Sequence, residues 1–171
     1  MRTNSTSIKA GSKQIPGTAE PMDAIALLTE DHEKVKAMFE QYEGLGDRAH
    51  ATKQKLAMQI CTELTRHAMA EEEIFYPAVR EASKENEDLV DEATVEHAAA
   101  KDLIEQIMSM DSTDELFDAK VKVLSEQIEH HVEEEEGDMF PKARKAGLDL
   151  VALGEEIQAR KDEIQIPQRM D

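Results

Sequence analysis

The chain has a single cysteine, Cys61, so no intramolecular disulfide can form, and a reducing compartment such as the cytoplasm is the simplest setting. It has no run of about 18 apolar residues, which excludes a membrane-spanning helix. The N-terminus, MRTNSTSIKAGSKQ, carries bases but no apolar stretch and does not read as a secretory signal. Bases are scarce: 20 Lys and Arg stand against 38 Asp and Glu, a formal charge of −18. That surface repels phosphate backbones and anionic lipid, so neither nucleic acid nor a membrane is an expected partner, while cations are attracted. Trp is absent, and aromatics make up only 4% of the chain. Pro and Gly are few and fall mainly at the ends of periodic segments.

What remains is rich in Ala, Leu, Glu, Lys, Met and Gln, all good helix formers. With 171 residues and 40% apolar content, one all-α domain with a single core is expected. Residues 1–20 lack periodicity and are expected to form a flexible tail. Residues 21–147 are expected to form the bundle and 148–171 a C-terminal helix and tail. The first helix carries Ile25, Leu28, His32, Val35, Phe39 and Tyr42 on one face, and Gly44 and Gly46 stop it. A second helix, about 47–82, has the stripe Leu56, Ile60, Leu64, His67, Glu71, Ile74 and Ala78, with Pro77 expected to kink it or end its main part. A third, about 86–110, has Val90, Ala93, His97, Ala100, Ile104 and Ile107. The STDE stretch at 112–115 reads as a capping box for a fourth helix. That helix carries Phe117, Val121, Leu124, Ile128, His131 and Glu135; Pro141 bends it and Gly147 ends it. A short last helix, about 149–163, has an apolar face suited to one end of the bundle. The connections are short, so the expected architecture is an up-down-up-down four-helix bundle with a short extra C-terminal helix.

The two halves of the chain repeat. DHEKVKAMFEQ (31–41) aligns with EHAAAKDLIEQ (96–106), and HAMAEEEIFYP (67–77) with HVEEEEGDMFP (131–141). The offsets of 65 and 64 residues describe two copies of a helix pair about a pseudo-two-fold axis. The register pairs His131 with His67, which turns His130 outward; His50 falls outside both matches and reads as a surface residue.

Residues i and i+4 share a helix face, so His67 with Glu71, and His131 with Glu135, point into the bundle together. His32 and His97 add an imidazole from each remaining helix. Four imidazoles and two carboxylates among Leu, Ile and Val are costly to bury unless cations neutralise them. The candidate metal ligands are therefore His32, His67, Glu71, His97, His131 and Glu135, with the two glutamates placed to bridge a metal pair and Glu136 open as an alternative to Glu135. The other acids of the EEE and EEEE runs, Glu72, Glu73, Glu133 and Glu134, read as solvated faces. Imidazole and carboxylate suit iron, zinc or manganese, and the open positions favour a redox pair over a closed zinc site.

The run DAIALLTEDHEKVKAMFEQ, the two HxxxE pairs with FYP and MFP, and the EH of the third helix resemble the hemerythrin-like (HHE cation-binding) domain over about residues 22–145. The resemblance implies a bundle holding two iron ions, with Glu71 and Glu135 bridging them beside an oxo or hydroxo group. Lys101 stands where the oxygen carriers of the family have a second histidine. The pattern is closer to bacterial members with four His and two Glu, including di-iron proteins linked to repair of iron–sulfur clusters, although those carry an extra cysteine-bearing N-terminal domain. Three functions follow as expectations: a centre that binds O2, NO or peroxide for sensing, scavenging or weak catalase or peroxidase activity; an iron store or buffer; or a structural or interaction module. Lys101 and Tyr76 are candidate polar groups for the pocket, and the oligomeric state is left open.

Overall fold

The apolar stripes read from the sequence close into the expected bundle. The structure, a computed structural model, describes residues 22–166; the tail expected over 1–20 lies outside them. Helix α1 (Ala24–Glu43) pairs with α2 (His50–Ala70), and α4 (Glu87–Ser109) with α5 (Phe117–Glu134). Contacts of α2 with α4 and of α1 with α5 complete the ring of four. No strand occurs among the described residues. Asp23 caps α1, its Oδ1 accepting from the Ala26 N–H at 2.8 Å. Gly44 follows the last residue of α1 with ordinary negative φ, so the helix stops there without a left-handed glycine. Gly147, at φ +74°, does supply that conformation after α6 (Phe140–Lys145).

One expectation fails and another is met in an unexpected way. Ser112 and Glu115 form no capping box: α5 begins at Phe117, and no side chain caps it. The Ser112 hydroxyl instead donates to His50 O at 2.7 Å, and its N–H to Gln54 Oε1 at 2.6 Å, tying the loop to the start of α2. Ahead of Pro77 the main part of the second helix does end, at Ala70, as expected. There the helix widens into a π turn, Glu71–Phe75, and continues as α3 (Tyr76–Ala82); the fourth helix repeats this with a π turn at Glu135–Met139 before α6. In each π turn the N–H of the closing aromatic (Tyr76, Phe140) donates to the carbonyl five residues back, Glu71 or Glu135. The wide turn ends just before the proline, whose missing N–H and ring disrupt a regular ladder.

The core has two parts. One cluster, at one end, gathers Phe39, Tyr42, Leu56, Ile60, Ile107, Phe117 and Leu124. The other gathers Leu28, Phe75, Val79, Val90, Phe140 and Ile157. The His and Glu layer belongs to neither cluster. The last helix, α7 (Leu150–Glu163), packs along α1 and reaches α2 and the first π turn. Its Gly154 lies against the start of α1: a Cβ there would stand 2.5 Å from the Met22 carbonyl oxygen.

Candidate metal centre

Each helix of the bundle delivers one imidazole to a common level. His32 comes from α1, His67 from α2, His97 from α4 and His131 from α5, all buried. Glu71 and Glu135, at 0% and 1% exposure, open the two π turns one helical turn beyond His67 and His131. The six donors form two overlapping groups, His32–His67–Glu71–Glu135 and Glu71–His97–His131–Glu135, with the atoms of each within 4.8 Å of one another. Both carboxylates are common to the two groups. Glu71 Oε1 touches His67 Nε2 and lies 4.0 Å from His97 Nε2; Glu135 Oε1 touches His131 Nε2 and lies 4.0 Å from His32 Nε2.

The outer nitrogens are held by a ring of acids. Asp31 Oδ2 lies 2.9 Å from His67 Nδ1, and Glu96 Oε1 lies 3.0 Å from His131 Nδ1. Glu136 Oε1 is 3.3 Å from His32 Nδ1. Glu72 Oε1 is 3.4 Å from His97 Nδ1, a close ionic contact without hydrogen-bond alignment. The repeat explains the pattern: the acid preceding the first His of each half serves the second His of its own half. The acid following each buried Glu serves the first His of the other half. A carboxylate at Nδ1 keeps the proton there and orients the ring. The Nε2 atoms then face inward, 3.2 Å apart for His32 and His67 and 3.0 Å apart for His97 and His131. Glu71 Oε1 and Oε2 and Glu135 Oε2 find no hydrogen-bond donor. Nitrogens this close together, and buried carboxylate oxygens short of donors, are unfavourable by several kcal/mol unless positive charge lies among them, whether a proton on His67 or a bound cation.

The electrostatics agree. Burial works against a charged His67, but Glu71, then Asp31, outweigh it and push its pKa up to about 10. Burial and the neighbouring His67 charge pull His32 down to about 3. Burial raises both glutamates; His67 reverses this for Glu71, which falls well below the carboxylate range, whereas burial and the Glu71 charge hold Glu135 well above it. Of these six carboxylates, two buried and four around the imidazoles, Asp31 is paired with an ammonium: Lys161 Nζ lies 2.6 and 2.7 Å from its oxygens.

Tyr76 makes the halves unequal. Its hydroxyl lies 3.1 Å from His97 Nε2, 3.2 Å from His131 Nε2 and 3.4 Å from Glu135 Oε1. Burial and the two glutamates push its pKa far up, so it stays a hydroxyl. On a regular α-helix Tyr76 would be turned about 140° from Glu71; the wider π turn brings it back to the centre. A cavity of about 290 Å³, lined by all four imidazoles and by Leu64, Ile104 and Ile128, opens beside the centre.

All six residues singled out from the sequence thus meet. His130 is exposed and faces Glu96 and Glu134, and His50 is exposed. Glu136 contacts the outer nitrogen of His32 and is in neither four-donor group, whereas Glu135 is in both. Asp31 and Glu96 escaped the sequence reading, Glu72 read only as a surface acid, and Glu136 stood only as an alternative to Glu135. The available signal was adjacency, each being next to a ligand in both copies of the repeat. Cys61 is buried and takes no part; burial pushes its thiol up to about 12.

A helical bundle with a layer of four His and two Glu defines a class of cation-binding domain. The family model of the hemerythrin HHE cation-binding domain matches residues 23–143, and the chain belongs to that family. A DNA nickase of Nostoc sp. is 33% identical over 114 residues, 67% of this chain and 31% of that protein. An uncharacterised hemerythrin-like protein of Schizosaccharomyces pombe is 26% identical over 112 residues, 65% of this chain and 54% of that one. The chain therefore spans about a third and about half of these two relatives. An HHE cation-binding-domain protein of Mycobacterium kansasii shares the fold, with a TM-score of 0.70 at 23% identity over 83% of this chain and 86% of that one.

Proposed function

We propose that the protein holds two iron ions and binds or reduces a small oxidant, O2, NO or peroxide, at the His/Glu layer. The observation that carries this is the pair of Nε2–Nε2 contacts, 3.2 and 3.0 Å, flanking carboxylates shared by both halves. Such a donor set fits two cations rather than one. His32 and His67 would hold one ion, His97 and His131 the other, with Glu71 and Glu135 common to both. Iron bound there supplies electrons and Lewis acidity. The chain's own groups do the rest. The acids at Nδ1 fix the imidazoles, and the Tyr76 hydroxyl donates a hydrogen bond on the His97/His131 side. The charge of −18 supports cation loading and a neutral ligand, and argues against a nucleic-acid partner. The buried Cys61 fits a reducing, cytoplasmic setting. No helix among the described residues is long and apolar enough to cross a membrane.

The test is anaerobic loading with ferrous ion, followed by titration with O2, peroxide and NO under optical and EPR detection. Ligand-dependent oxidation or nitrosyl signals are the expected result. Iron that exchanges readily with chelator and reacts with none of the three would make the site a store. Equal thermal stability with and without metal would leave only a structural module.

A further inference from the structure

The cavity beside the centre is far larger than the oxidants just named. Its volume is about 290 Å³, whereas a molecule of water fills about 30 Å³ of liquid, and a diatomic or hydrogen peroxide is of similar scale. Its walls are hydrocarbon: Leu64, Ala68, Ala100, Ile104, Ile128 and Val132. Its polar floor is the four imidazoles, and exposed Lys101, Glu72 and Glu73 stand at its rim. Tyr76 is not among its lining residues. This is the make-up of a small-molecule pocket: apolar walls with a few convergent polar groups at one end. A second groove of about 420 Å³ also reaches His32 and has apolar lining of its own (Phe39, Ile128, Val132), but six glutamates against one lysine, Lys36, make it the more acidic opening and suit it to cations. The acids around the centre and the overall charge of −18 disfavour an anion in either opening.

We infer that the 290 Å³ cavity takes the hydrocarbon part of an uncharged organic hydroperoxide, whose O–O bond is reduced at the His/Glu layer. This rests on the di-iron reading and names its substrate class. The overall step is ROOH plus two electrons and two protons giving ROH and water. The O–O bond breaks. The two electrons come from two ferrous ions, each oxidised to ferric, and the protons from solvent. The apolar walls hold R, so affinity grows with R as each buried CH2 contributes about 0.8 kcal/mol. Hydrogen peroxide gains nothing from them.

The experiment has two arms and two variants, Ala100→Leu and Ala68→Leu, which narrow the cavity and replace no proposed ligand. In the first arm, methyl-labelled full-length protein loaded with zinc, a diamagnetic substitute for iron, is titrated with 2-phenyl-2-propanol, the unreactive alcohol corresponding to cumene hydroperoxide. Methyl shifts at Leu64, Ile104 and Ile128 are expected in the wild type and are lost in the variants. In the second arm, ferrous-loaded protein is mixed with cumene hydroperoxide or hydrogen peroxide. The ratio of the two oxidation rates is expected to fall at least tenfold in a folded variant, with the hydrogen peroxide rate within twofold of wild type. Absence of the methyl shifts in the wild type, or an unchanged rate ratio in both folded variants, overturns the proposal. Oxidation by neither peroxide overturns it together with the peroxide reading, and is told apart from loss of cumene hydroperoxide alone.

Discussion

Tyr76 and Phe140 occupy matching positions in the two halves of the repeat but meet the centre differently. The Tyr76 hydroxyl lies 3.1 Å from His97 Nε2, whereas Phe140 stacks nearly parallel on His32, ring centroids 5.8 Å apart. One half thus has a hydrogen-bond donor and the other a hydrocarbon lid. Tyr76→Phe removes the donor and keeps the ring. The expected outcome is unchanged metal content with peroxide reaction slowed roughly tenfold or more, the scale for a hydrogen bond to a charged group. Stopped-flow traces at matched iron occupancy check it; equal rates would assign Tyr76 to packing alone.

Asp31 joins α7 to the centre, since it accepts from His67 Nδ1 at 2.9 Å and from Lys161 at 2.6 Å. Asp31→Asn keeps the shape but weakens orientation of the imidazole. Metal affinity is expected to fall about 10- to 100-fold, the usual effect of losing such a partner. Lys161→Ala leaves a mostly buried carboxylate with less compensation, and about 2 kcal/mol of stability is expected to be lost, between exposed and fully buried pairs. Competition titrations and chemical denaturation give the two numbers.

Gly154 and Gly137 test the packing of α7 and of the second π turn with opposite signs. A Cβ at Gly154 meets backbone at 2.5 Å, while one at Gly137 meets nothing within 4 Å. Gly154→Ala is expected to cost about 1–3 kcal/mol despite the better helix former. Gly137→Ala is expected to stabilise by roughly 0.5–1 kcal/mol. Thermal melts of the two variants resolve the signs.

Metal binding must displace the His67 proton. The pKa of His67 is raised to about 10, so the ring is protonated at neutral pH in the metal-free protein. Affinity is therefore expected to rise with pH, about tenfold per unit for one displaced proton, and to level off near pH 10. Zinc titrations between pH 6 and 8 in two buffers of different ionisation heat check both slope and proton release. A flat profile would contradict the assignment of His67 as a ligand.

Much of this was legible in the sequence because helical period and internal repeat report the same faces. His32, His67, His97 and His131 each fall in an apolar stripe, and the repeat chose His131 over His130. What escaped required contacts between helices. Asp31 sits beside His32 in sequence but serves His67 across the α1–α2 interface, and neighbours in sequence do not share a helix face. Glu72 read as a surface acid because its side chain is indeed 40% exposed, and Glu136, 39% exposed, was open only as an alternative to Glu135. The π turns were hidden because Pro77 and Pro141 signal a broken ladder without saying whether the helix bends, stops or widens. Ser112 misled because a capping box and a loop tie use the same side chain, and the partner at His50 is 62 residues away.

We propose that the layer of His32, His67, Glu71, His97, His131 and Glu135 holds two iron ions. Elemental analysis of purified protein, loaded anaerobically with ferrous ion and desalted, tests it most directly. About two irons per chain are expected, falling by at least half in His67→Ala and His131→Ala variants that keep their helical circular dichroism. Less than one ion per chain in the wild type, or full iron content in both folded variants, would contradict the claim.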